Sequence, residues 1–176
     1  MRVAIVSAFL ATLAGAAYAA PTVLGVEVGA PMTLPRCDLS SSLVVKEDCQ
    51  TPAAHGGNVE IVLSDATTAH AGFVRRAEAV VEDDMVSALI VRTSGVYSQD
   101  DVMHALIAKF GKPQAYRVDR PRNRMTSTFK GVRARWELDG LIVTFDSAVG
   151  SLDNGELEIM TPAYAKARTA KPAPSL

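Results

Sequence analysis

Residues 98–113, SQDDVMHALIAKFGKP, have little choice but to fold as one helix with both ends marked. Ser98 can accept a first-turn amide, and Asp101 three positions later completes a capping-box-like pattern. Asp100 and Asp101 also suit the positive end of the helix dipole. Val102, Met103, Leu106, Ile107 and Phe110 recur at spacings of three and four and gather on one apolar face. Gly111 can take the left-handed conformation that ends a helix, and Pro113 forbids continuation. The pattern predicts a helix over 98–110.

The runs around this helix have the character of strands. Val59 to Leu63 is short and apolar, and Phe73 to Val81 and Met85 to Arg92 flank Glu82-Asp83-Asp84, a tight-hairpin signal. Beyond the helix come Gln114 to Val118, then Gly131 to Glu137 and Leu141 to Phe145 around Asp139-Gly140, the strongest two-residue hairpin signal in the chain. Glu156 to Met160 is expected to add an edge strand. The fold class is therefore α+β, a mostly antiparallel sheet with one main helix packed on a face. Residues 36–58 are expected to form a long loop, residues 119–130 an extended basic hairpin loop, and residues 163–176 a disordered tail.

The N-terminus carries an address. Met1-Arg2 is basic, Val3 to Ala16 is apolar, and Ala17-Tyr18-Ala19 has the small-x-small form of a signal-peptidase site, so residues 1–19 are expected to be a signal peptide. The apolar run is shorter than the roughly 20 residues that span a bilayer. The expectation is a periplasmic or secreted protein without stable membrane insertion, folded as one domain over 20–162. In an oxidising compartment Cys37 and Cys49, the only cysteines and twelve positions apart, are expected to pair. Metal ligation by them would need further ligands at a recognised spacing, and none is near.

Laid side by side, residues 22–93 and 94–162 form a weak repeat. Met32 to Arg36 would be a helix or turn leading into strands, as Ser98 to Pro113 leads into those after it. With FGKP at the helix end and WELDGLIVTF in the hairpin, this order resembles the small exported modules of the beta-lactamase-inhibitor-protein and outer-membrane-assembly-lipoprotein type. That resemblance implies work of one kind, gripping another protein on a sheet face. It transfers no binding residue.

A net charge of −1 hides strong segregation. From Lys112 to Arg135 there are eight basic residues and one acidic, whereas 20–111 holds six against twelve and 136–163 none against six. The basic candidates are Arg117, Arg120, Arg122, Arg124, Arg133 and Arg135. Guanidinium forks bind carboxylates bidentately, so these arginines suit an acidic protein partner; equally, they could pair with acidic neighbours and keep a sheet edge soluble. In 131–137, alternation sends Val132, Ala134 and Trp136 to one face and Arg133, Arg135 and Glu137 to the other. Trp136, the only tryptophan, is then a core residue or an interface anchor. An exported chain without a nucleic-acid motif is not expected to bind nucleic acid.

Nucleophile elbows, zincin motifs and glycine-rich phosphate loops are absent from the sequence. Two classes of function remain. One is a non-catalytic binding module of the cell envelope, of which an inhibitor or immunity-type protein is an example, needing no cofactor. The other is a small hydrolase or metal-dependent enzyme with a site near His55 to His70, where His55, Asp65 and His70 would be the ligands. His104, one turn after Asp100, suits a solvated helix face.

Overall fold

A computed structural model describes residues 22–38, 45–51, 58–119 and 129–170, without the side chains of residues 69–71. Its strands are β1 (Cys49–Thr51), β2 (Asn58–Val62), β3 (Phe73–Glu82), β4 (Met85–Thr93), β5 (Ala115–Asp119), β6 (Gly131–Leu138), β7 (Leu141–Asp146) and β8 (Gly155–Met160). Its helices are α1 (Asp65–Ala71), α2 (Gln99–Phe110) and α3 (Pro162–Ala170). All eight strands join one sheet in the order β1-β2-β3-β4-β8-β7-β6-β5, with every neighbouring pair antiparallel.

The turns explain the hairpins. Asp83 and Asp84 both adopt positive φ, 50° and 63°, a mirror-image turn whose twist matches that of the strands it joins. Asp139 and Gly140 connect β6 to β7, with Leu138 opposite Leu141 and Gly140 at φ 76°. The N-terminal segment makes a similar reversal: Leu24 and Gly25 have positive φ between the bridged Val23 and Val26.

One face of the sheet holds the core. Leu89, Val91, Val143, Phe145, Leu157 and Ile159 pack there with Val102, Met103 and Leu106 of α2 and with Val23, Val26 and Val28. Trp136 is fully buried in this core, and its indole Nε1 donates to the Gly111 carbonyl at 2.8 Å. The same glycine gives its N–H to the Ile107 carbonyl, so one residue both ends α2 and locks it to β6. Gly111 has φ 76° and ψ −164°, positive in φ but extended in ψ, rather than the left-handed helical cap expected.

Four other expectations change. Glu156 to Met160 is not an edge: β8 lies mid-sheet between β4 and β7, where Leu157 and Ile159 meet the core. Within the expected disordered tail, residues up to Ala170 belong to α3, which packs on β4 and β7 and ties Arg168 to Glu158; residues 171–176 lie outside the described residues. Glu158 alternates with the inward Leu157 and Ile159, so α3 occupies the face opposite α2. In the first half, Met32 to Arg36 is not helical; α1 falls instead between β2 and β3. The long loop expected over 36–58 includes β1.

Candidate interaction site

The two edges of the sheet are treated differently. At β1, the segment before Asp38 lies alongside the strand: Gln50 donates its N–H to Pro35 O at 2.8 Å, and Cys37 donates to Gln50 O at 2.9 Å. The Gln50 amide also donates to Leu34 O at 2.6 Å. A disulfide joins Cys37 to Cys49, with Cα atoms 5.0 Å apart, and holds this cover in place. The cysteine pair therefore closes an edge.

The other edge is β5, and no described residue lies beyond it in the sheet. Its backbone polarity follows from β6. Val132 engages Ser147 on the β7 side through both its N–H and its carbonyl, while the N–H and carbonyl of Glu137 engage the Gln114 side chain on the β5 side. Alternation turns the peptide groups of Gly131, Arg133 and Arg135 toward their partners Asp119, Arg117 and Ala115. The peptide groups of Tyr116 and Val118 consequently point away from the sheet.

Two grooves flank this edge. On the α2 side, a groove of about 460 Å³ is lined by Met103, His104, Ile107, Pro113, Tyr116 and Val132. Tyr116 is 56% exposed, Val118 48% and Ile107 42%, which places half of the exposed large hydrophobics of the described residues in one neighbourhood. On the opposite side, a groove of about 440 Å³ is lined by Arg117, Arg133, Arg135, Asp146, Glu156 and Glu158.

Strand register builds the charged groove. Arg117, Arg133, Asp146, Glu156 and Arg92 lie side by side across five strands. Arg133 bridges Asp146 at 2.8 Å and Asp119 at 3.3 Å; Arg117 meets Asp119 at 2.7 Å, and Arg135 meets Glu137 at 2.9 Å. The groove is thus basic at β5 and β6 and acidic at β7 and β8. Burial pushes the Glu156 carboxyl above its ordinary range, and repulsion from Glu158 adds to the shift, against the opposing pull of Arg92 and Arg168. The Glu158 carboxylate in turn raises the Arg168 guanidinium.

Of the expected binding residues, Arg117, Arg133 and Arg135 come together on this face. Each is also in an ion pair, so both roles weighed for the arginines involve the same side chains. Arg120, Arg122 and Arg124 lie outside the described residues. Of the two roles weighed for Trp136, the core one holds and its place among the binding candidates does not: with no exposed surface it cannot be an interface anchor. No family model, curated protein or solved structure matches the chain.

Among the proposed metal ligands, His55 lies outside the described residues, as does the His70 side chain, while Asp65 pairs with Arg75. The described residues contain no group of three potential metal ligands and no helix long and apolar enough to cross a membrane. Tyr116, Val118 and Ile107 were not singled out by sequence. Their apolar character in a strand and on a helix stripe reads as core, and only the terminal position of β5 in the sheet leaves them open.

Proposed function

We propose that this chain is a non-catalytic protein-binding module of the cell envelope, periplasmic or secreted, in the manner of the inhibitor-type and assembly-type modules it resembles in sequence. The observation that carries this reading is the apolar patch of Ile107, Tyr116 and Val118, bordered by arginines at a sheet edge beyond which no described residue lies. Contiguous apolar surface rimmed by polar groups marks interaction sites more often than isolated exposed residues do. The disulfide suits an oxidising compartment and holds the cover over β1, so that among the described residues β5 is the edge left open.

The test is capture from envelope extract with wild-type bait, Tyr116→Ser, and Val74→Ser as a control at an exposed apolar site elsewhere. The captured protein is then purified and its binding remeasured with both pure components. Tyr116→Ser is expected to weaken binding at least tenfold, or roughly 1.4 kcal/mol, with Val74→Ser unchanged. Equal binding by all three baits, or stoichiometric zinc in the purified protein, would refute the reading.

A further inference from the structure

We infer that the occupant of the β5 edge is an extended segment of another protein, alternating acidic and apolar residues, that adds as a ninth strand. This deepens the binding-module reading and rests on it. The outward N–H and carbonyl groups of Tyr116 and Val118 offer the hydrogen bonds of a further ladder, and strand addition satisfies such groups without remodelling the sheet. Successive side chains of an added strand point to opposite faces. Here those faces differ: one set would enter the apolar groove beside Ile107, Pro113 and Tyr116, the other the charged groove beside Arg117.

Charge selects the occupant. The described β5–β6 region, from 112 to 119 and 129 to 138, carries Lys112, Arg117, Lys130, Arg133 and Arg135 against Asp119 and Glu137. Ala115, opposite Arg135, is too short to screen that guanidinium from an added strand. Although Arg117, Arg133 and Arg135 are each in an ion pair, these two strands keep a net positive charge, so acidic residues at alternate positions meet an excess of basic groups, and apolar residues between them bury Tyr116 and Val118.

A second copy of the chain fits less well. Two-fold antiparallel pairing that sets Tyr116 against Val118 is centred on Arg117, which opposes that arginine to its own copy with Arg133 beside each. Like charges directly opposite one another destabilise a strand pair.

The experiment uses the whole exported chain and a synthetic peptide alternating Val and Glu. Its controls are the same peptide with Lys for Glu and a peptide of equal composition with Val and Glu in separate blocks. The alternating acidic peptide is expected to slow hydrogen exchange at the Tyr116 and Val118 amides and to bind at least tenfold more tightly than either control. Val118→Pro removes an outward N–H, a substitution edge strands tolerate, and is expected to abolish binding. Arg117→Glu leaves the backbone donors intact and is expected to weaken binding at least tenfold, with the effect shrinking as salt rises.

Equal binding of the Lys or block peptide, or protection at other amides, would overturn the inference. So would a dimer of the chain alone that Val118→Pro dissolves, which would assign the edge to a second copy. An envelope partner lost by Tyr116→Ser but kept by Val118→Pro would sink strand addition and leave the binding module standing. A partner indifferent to both variants would sink both.

Discussion

The hydroxyl of Ser98 stands at the entry to α2, where the residue is 6% exposed, and it has no hydrogen-bond partner among the described residues. Its backbone, at φ −113° and ψ 4°, is not in the extended region that lets a capping side chain fold back onto the first turn. A 3₁₀ turn over Gly95–Tyr97 feeds directly into the helix, and a close neighbour fills the space around the side chain: a Cβ added to Gly72 would lie 2.3 Å from that of Ser98. Gly72, at φ 62°, both ends α1 and lets this approach happen. Ser64 shows the contrasting case, since its Oγ accepts from the Thr67 N–H at 3.3 Å at the start of α1. Ser64→Ala should therefore cost about 1 kcal/mol, while Ser98→Ala should be neutral or slightly stabilising because it removes an unpaired buried hydroxyl. Urea denaturation of the two variants checks this; a cost at Ser98 as large as that at Ser64 would mean the hydroxyl has a partner.

At the scale of elements, the disulfide and the sheet edge it closes make the clearest unit. Reduction should destabilise the protein by about 2–4 kcal/mol, chiefly through the unfolded chain. It should also loosen the segment before Asp38, so that the Gln50 amide exchanges faster while Tyr116 and Val118 do not change. Uniform acceleration at both edges would mean that the disulfide stabilises the whole fold without guarding β1. Much of this element inventory was legible in the chain: the hairpin residues Asp83-Asp84 and Asp139-Gly140 state their turns locally, and the stripe from Val102 to Leu106 states its buried face. What escaped depends on distant partners. GELEIM has the alternation of an edge strand, and only pairing with β4 places it mid-sheet. A strand of three residues such as β1 has no period to detect. The helix α3, rich in Ala, has no buried residues of its own and takes its anchor from Glu158 on a strand. The arginine cluster was legible as a block of charge, but the openness of Tyr116 was not, because edge position is a property of the assembled sheet.

Among the described residues, the sheet has an apolar face packed against α2 and the N-terminal segment and a charged face on which α3 lies. Glu156 sits on the charged face beside Glu158, with Asp146 opposite it on β7, Arg92 opposite it on β4 and Arg168 approaching from α3. Its folded pKa lies above its ordinary value of 4.5, so the folded protein holds this proton more tightly than the unfolded chain. Stability from that difference is fully present below pH 4.5 and is lost as pH rises through the folded pKa. Glu156→Gln removes the titration while keeping the shape and a hydrogen-bonding side chain. The variant should be at least as stable as wild type at pH 7 despite losing a long 3.6 Å contact with Arg92, by the small margin that a single partly solvated charge contributes. Below the ordinary carboxylate range, where Glu156 is protonated in both folded and unfolded wild type, the advantage should vanish. Thermal unfolding of the pair across that range is the measurement. If wild type is the more stable at pH 7 and its lead shrinks on acidification, attraction to Arg92 and Arg168 outweighs burial and the repulsion from Glu158, and the acidic end of the groove is held together by its arginines.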